Sequence, residues 1–277
     1  MTRADGTLRT LAGASLYYQS WLPDDTPTGV LLVAHGLAEH SGRYEHFALF
    51  FVARGYAVFA IDHLGHGTSD GDRCHIRHFS DYTDGVSLLL DQVREECPTT
   101  PVFLLGHSMG GLIATRFLID KQAEFAGCVL SGPLLEAAAK PPAFQLSLVR
   151  FFSKVLPRLR VMPLDASQVS RDPAVVEKYR NDPLVFTGKV TARLVEQLFS
   201  EMAWLRDQLE RIRLPILILH GSEDGLTSPE GSKTLHEKAA SDNKKLIIYE
   251  GLYHEVYNEP EQEAVMNDVA NWLVTVR

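Results

Sequence analysis

The chain is poor in cysteine: Cys74, Cys97 and Cys128 are the three among 277 residues, and no two form a CxxC pair. An odd, scattered set builds neither a disulfide framework nor a zinc site, and it fits a reducing compartment. Long apolar runs are also missing, since none approaches the ~20 residues that span a bilayer. The opening MTRADGTLRTLAG has no apolar core of a secretory leader, so a cytoplasmic protein is expected. Basic residues are outnumbered, 27 against 35 acidic, for a net charge of −8. Such a chain gains nothing from phosphate backbones, and no nucleic-acid partner is expected. Repeats and low-complexity tracts are absent as well. What is present is ordinary globular composition, 45% hydrophobic with 20 Gly and 14 Pro, in a chain long enough for one large core carrying an insertion.

The apolar segments are short, β-branched and often end in Gly: VLLVAHG (30–36), AVFAID (57–62), VFLLG (102–106), GCVLSG (127–132), PILILHG (215–221) and LIIYEG (246–251). Continuous apolar runs of this length read as strands buried on both faces, as in a parallel sheet. Helix-period segments lie between them, at 44–54, 82–96 and 112–120. Alternation of strand and helix predicts an α/β fold with a mostly parallel sheet covered on both faces. Residues 7–22 alternate around Leu16, Tyr18 and Trp21 and predict an antiparallel hairpin on the sheet edge. The rhythm breaks for roughly 70 residues after Pro133, where helical patterns and prolines replace strand signals. We read a core at 1–133 and 205–277 and an inserted helical cap at 134–204. From 133 to 200 there are ten Lys or Arg against six Asp or Glu, a net of +4, which leaves −12 for the rest.

The most specific chemical signal is Gly106-His107-Ser108-Met109-Gly110, directly after a strand and before a helical segment. That context is what a nucleophile elbow requires. Glycines on either side remove side chains that would collide at a sharp turn, and the helix N-terminus presents N–H groups to developing negative charge. A serine nucleophile needs a base and an orienting acid, in the chain order Ser, acid, His. Asp224 follows the strand PILILHG and His254 follows LIIYEG, both at C-terminal strand ends, where open α/β sheets build their sites. Ser108, Asp224 and His254 are therefore the expected catalytic residues. Glu223 competes with Asp224, but its longer side chain suits the loop less well. The oxyanion needs two N–H donors. Met109 after the nucleophile and Leu37 in the loop after VLLVAHG are the candidates. The HxxH pairs His63/His66 and His75/His78 lie in loop sequence without a companion acid, so no metal site is expected.

Three segments together identify a family: HGLAEHSGRY (35–44), DHLGHGTS (62–69) and GHSMGG (106–111). They closely resemble the monoacylglycerol lipase family of α/β-hydrolases and its lysophospholipase-like relatives, and the resemblance runs nearly end to end. It implies an eight-stranded, mostly parallel sheet flanked by helices, with a mobile helical cap over a lipid-accepting tunnel. It implies hydrolysis of monoacylglycerols to glycerol and fatty acid, with no cofactor. Ser108, Asp224 and His254 match the family's triad, Leu37 and Met109 its oxyanion amides. Glu39, Arg43, His107 and Tyr179 match polar positions at the glycerol end. Two departures stand out: Leu37 where mammalian members have Ala, and Tyr257 where some have a second His. A lysophospholipase or broad carboxylesterase is the alternative, and a non-catalytic lipid binder is the reading from another class. The substrate class is a lipid ester; oligomeric state is left open.

Residues 144–159 read as an amphipathic helix with Phe144, Leu148, Phe151, Phe152, Val155 and Leu159 on one face and Arg150, Lys154 and Arg158 on the other. Pro157 is expected to end or kink it. Such a face either packs on the core or lines a tunnel and touches lipid, which allows peripheral contact with a membrane or micelle through the cap.

Overall fold

The fold is that of a computed structural model that describes residues 1–139 and 141–276. The chain order is β1 (Thr2–Arg9), β2 (Ser15–Leu22), β3 (Gly29–Ala34), α1 (Glu45–Val52), β4 (Tyr56–Ile61), α2 (Ser80–Glu96), β5 (Val102–His107), α3 (Met109–Lys121) and β6 (Gly127–Ser131). An insertion follows, with α4 (Ala143–Val155), β7 (Arg160–Met162), α5 (Pro173–Asn181), β8 (Val190–Thr191) and α6 (Ala192–Leu205). The chain then completes β9 (Ile216–Gly221), α7 (Pro229–Lys238), β10 (Lys244–Tyr249) and α8 (Gln262–Thr275). Eight strands form one sheet in the order β1-β2-β4-β3-β5-β6-β9-β10. The hairpin β1–β2 is antiparallel and joins the edge of β4 antiparallel, and the remaining pairs are parallel.

The continuous apolar runs become central strands because both faces are covered. Along β3, Val30, Leu32 and Ala34 face a core built with α2, α3 and α7, while Leu31 and Val33 face one built with α1 and α8. This two-residue alternation repeats in β9, where Ile216 and Ile218 lie on the first side and Leu217 and Leu219 on the second. The layers approach closely at Gly110, where a Cβ would lie only 1.9 Å from the Ala34 carbonyl oxygen, so α3 can rest directly against β3. Among the described residues no helix is long and apolar enough to cross a membrane.

The insertion differs from the expected helical unit in two ways. Two short strands, β7 and β8, pair antiparallel within it, too brief to register as a pattern. Its helix α6 joins the main core through Leu194, Val195, Leu198, Met202 and Leu205, leaving only a small separate cluster of Val169, Tyr179 and Val185. Helix α4 ends at Val155, two residues before Pro157, because a residue before proline avoids helical angles. It packs against α6 with Val149 and Phe152 half-buried and Ser153 buried. Its more apolar side points outward: Phe144 is 64% exposed, Leu148 50%, Phe151 58% and Val155 53%. Phe152, expected on that same face, lies toward the protein.

Candidate active site

Strands β3, β5, β9 and β10 are parallel, so the loops leaving their C-terminal ends meet at one rim of the sheet. Ser108 sits in the turn between β5 and α3 with φ 54° and ψ −117°, a conformation that L-residues adopt only under constraint. The constraint is visible: its N–H donates to the Ser131 carbonyl at 3.0 Å, and its carbonyl accepts from Leu112 and Leu134. Met109 is the first helical residue, so its N–H has no partner four residues back in the helix.

Asp224 and His254 come together from the loops after β9 and β10. The His254 Nδ1–H donates to Asp224 Oδ2 at 2.7 Å. Asp224 is buried, whereas Glu223 beside it is exposed, so the shorter acid is the one that faces the imidazole. Gly132, with φ 48°, passes beside the pair; a Cβ there would lie 3.2 Å from His254 Nδ1 and 3.3 Å from Asp224 Oδ2. The His254 ring rests on that of His107, the residue before Ser108, with centroids 4.8 Å apart. Burial pushes the His254 pKa down, but the Asp224 charge and hydrogen bond outweigh it and raise it above the ordinary value. Burial alone would raise the Asp224 pKa, yet His254 and His220 hold it well below the usual carboxylate range.

Two residues around Asp224 were not anticipated. His220 Nε2 lies 3.1 Å from Asp224 Oδ2, and its Nδ1 lies 2.7 Å from the Ser232 hydroxyl. Thr227 donates its N–H to Asp224 Oδ1 at 2.9 Å and places its hydroxyl 2.8 Å from Oδ2. The signal for His220 was its place at the end of a strand, four residues before the acid. Thr227 had none.

The loop after β3 runs against the elbow: a Cβ on Gly36 would lie 3.2 Å from Ser108 Cβ. This brings Leu37 beside the nucleophile. The loop is pinned from both ends. His35 Nδ1–H donates to the Gly36 carbonyl at 2.7 Å and its Nε2 accepts from the His63 N–H at 3.0 Å. The motif DHLGHGTS has a structural use here: Asp62 accepts from the N–H groups of Ser41 and Thr68, each at 2.7 Å, tying the loops after β3 and β4 together. His63 and His66 pack with His35 as buried rings. Burial carries His66 down to about 3, so these imidazoles are neutral at ordinary pH.

The four remaining sequence-derived positions gather on one side of His254. Glu39 Oε1 accepts from the Gly36 N–H at 2.6 Å and the Tyr44 hydroxyl at 2.9 Å, and its Oε2 accepts from Arg43 at 2.7 Å. Arg43 also makes a two-pronged bond to Glu255, at 2.7 and 2.6 Å, and its guanidinium lies 4.6 Å from the centre of the Tyr179 ring. His107 Nδ1–H donates to the Ser131 carbonyl at 3.0 Å. Burial, then the neighbouring His254, lowers the His107 pKa to about 4. Burial pushes the Glu39 carboxyl up, but the Arg43 charge, with help from His107 and His35, holds it at about 2. Glu39, Arg43 and His107 border a narrow cleft of about 10 Å³ with Glu255 and Asn258, room for about one water. Tyr179 is the stacking partner of Arg43. Glu255 was missed because its only signal is adjacency to His254. Tyr257 packs its ring edge-on to Phe47, with centroids 5.1 Å apart.

The sheet order, the strained serine at the strand–helix turn and the carboxylate–imidazole pair define a serine hydrolase of the α/β-hydrolase class. The profile of the family described as Serine aminopeptidase, S33 matches residues 25–261, and the chain belongs to that family. It is 39% identical over 274 residues to a monoacylglycerol lipase of Mycolicibacterium smegmatis, covering 99% of this chain and 98% of that one. It is 36% identical over 264 residues to the human monoglyceride lipase, covering 94% and 87%. Among solved structures, the monoacylglycerol lipase of Paleococcus ferrophilus superposes with a TM-score of 0.85 at 32% identity, over 95% of this chain and 99% of that one.

Proposed function

We propose that the chain hydrolyses the ester bond of monoacylglycerols to glycerol and free fatty acid through an acyl-enzyme on Ser108. The observation that carries this is the constrained Ser108, one residue after His107, whose ring lies against the Asp224-bound His254. Ser108 Oγ attacks the ester carbonyl carbon while its proton passes to His254 Nε2. The carbonyl oxygen becomes an oxyanion held by the Leu37 and Met109 N–H groups. When the intermediate collapses, the C–O bond to glycerol breaks and His254 returns the proton to the leaving oxygen. Water then repeats the sequence on the acyl-enzyme and frees the fatty acid and Ser108. Asp224 keeps Nδ1–H of His254 facing inward, so that Nε2 is the basic nitrogen.

The choice of a monoacylglycerol is supported by the names of the two relatives and by the polar cleft. Glu39, Arg43 and His107 form a narrow polar end, with Tyr179 stacked on Arg43, better matched to a hydroxyl than to a bulky phosphocholine. The acyl chain lies under a cap formed by residues 134–204, against half-buried Val149, Val161, Met162 and Leu164. A second reading, phospholipase or lysophospholipase activity, is supported by a relative from Bacillus subtilis, 33% identical over 244 residues and named Phospholipase YtpA. The test is kcat/KM on a monoacylglycerol, the matching di- and triacylglycerols and a lysophosphatidylcholine of the same chain. A preference for the monoacylglycerol is expected. Equal or higher rates on the lysophospholipid would move the assignment.

The outward stripe of α4 docks on a lipid surface. Phe144, Leu148, Phe151 and Val155 stand exposed in a row, and Arg150 and Lys154 flank them on a chain of net charge −8. An apolar stripe beside basic residues fits the boundary between headgroups and acyl chains. Replacing Leu148 and Phe151 by Ser should weaken binding to neutral vesicles while leaving hydrolysis of a water-soluble short-chain ester intact. Unchanged vesicle binding would refute the docking.

A further inference from the structure

A cavity of about 380 Å³ lies apart from Ser108, at the seam between the insertion and the core. It is lined by Asp72 and Arg73 from the core and by Arg158, Arg160, Phe186 and Thr191 from the insertion. Three arginines converge there against one carboxylate, in a chain whose overall charge has the opposite sign. Among the described residues Asp72 engages Arg158 through Nε alone, at 2.5 Å, which leaves that guanidinium's terminal nitrogens for another partner. Arg160 is held in place by donating to the carbonyls of Arg73 and Lys189, at 2.6 and 3.0 Å, and by lying 4.9 Å from the Phe186 ring centre. Arg73 Nη1 is buried and has no hydrogen-bond partner. Guanidinium groups converging in this way match the oxygens of a phosphate.

The cavity also has a definite neighbour. Arg158 and Arg160 flank Leu159, which is 39% exposed, and Leu156 just before them is 54% exposed. Both extend the outward stripe of α4. On the other side, the Phe186 N–H donates to the Ala38 carbonyl at 2.8 Å, one residue past Leu37.

From this placement we infer that the cavity formed by Arg73, Arg158 and Arg160 is a binding site for the phosphate headgroup of an anionic membrane phospholipid. It is distinct from the ester-hydrolysing centre. The inference rests on the docking of the α4 stripe: the stripe supplies depth in the bilayer, and the cavity reads a headgroup at its edge. A headgroup bound there bridges core and insertion beside the loop that carries Leu37.

The test is sedimentation of the full chain with vesicles of phosphatidylcholine alone or with one-fifth phosphatidic acid. The wild type should bind the anionic vesicles at least tenfold more tightly. Each basic residue at such a surface is worth roughly fivefold, so Arg73→Gln with Arg158→Gln should remove about 25-fold on anionic vesicles and little on neutral ones. Arg73→Lys with Arg158→Lys keeps the charge but loses the fork, and should still remove most of the preference. Full retention by the lysine variant would overturn the site and leave diffuse surface charge as the cause. Competition by millimolar inorganic phosphate as effective as that by vesicles would also overturn it, in favour of a soluble phosphate ligand. The Leu148→Ser, Phe151→Ser variant separates the two readings. If it binds neutral vesicles normally, docking through the stripe fails. If only the arginine variants bind normally, the headgroup site fails and docking stands.

Discussion

Glu39 offers the sharpest quantitative test, because its carboxylate is buried, saturated with partners and two residues from Leu37 in the same loop. Its pKa is held at about 2 in the folded protein against an ordinary value of 4.5. At 1.36 kcal/mol per unit, that difference corresponds to about 3 kcal/mol in favour of the ionised folded form. The folded value is the lower one, so this stability is present above pH 4.5 and is lost as the pH falls toward 2. Glu39→Gln keeps the shape but removes the charge and turns an amide donor toward Arg43. It should lower stability at pH 7 by about 3 kcal/mol, within the range seen when one partner of a buried ion pair is removed. For a chain of this size that is roughly a 5–10 °C fall in Tm. The Gly36 N–H bond is disturbed in the same step, so kcat should fall about 10- to 100-fold if the proposed Leu37 donor is displaced with it. Thermal unfolding at pH 7 and pH 3, with kcat on a short-chain ester, measures both. A Tm change under 1 °C with an unaltered kcat would refute the account of Glu39 as the buttress of this loop.

Ser108→Ala should abolish turnover and labelling by a fluorophosphonate probe while leaving the circular dichroism spectrum unchanged; residual turnover above about 1% would name another nucleophile. Because only neutral imidazole accepts the Ser108 proton, kcat/KM should rise with pH through the His254 pKa, with its midpoint above 6.5, since Asp224 raises it. Asp224→Asn should move that midpoint below 6.5, where burial alone would put it, and reduce kcat by about 10³–10⁴-fold; a stationary midpoint would dissociate Asp224 from His254. Gly110→Ala should destabilise the protein by 3 kcal/mol or more, because its Cβ would be driven to 1.9 Å from the Ala34 oxygen; a denaturant midpoint equal to the wild type's would contradict the close packing of α3 on β3.

The parts of this protein that are legible along the chain are those encoded by short spacings. The elbow is readable because Gly106, Ser108 and Gly110 must lie two residues apart for the turn to close. The strands are readable because both faces are apolar. Asp224 and His254 are readable because each follows a strand. What escapes are pairings between distant segments. Arg43 and Glu255 are 212 residues apart and meet through two rim loops, and neither residue type announces the other. The strands β7 and β8 have three and two residues, shorter than any periodicity. For α4 the pattern gave an amphipathic helix, but which side faces out depends on α6, whose register against it is not written in α4 itself.

The clamp around Arg43 draws on Glu39 near the start of the chain, Tyr179 in the middle and Glu255 near the end, beside His254. Synthesis delivers these pieces in order, and Glu255 and His254 arrive within the final quarter of the polypeptide. A chain still emerging from the ribosome therefore carries its nucleophile early, on a sheet already able to pair, but has neither the base nor the counter-charge that fixes the oxyanion loop. Under the proposed mechanism, hydrolysis begins only when the segment that carries Asp224 and His254 has docked on the sheet.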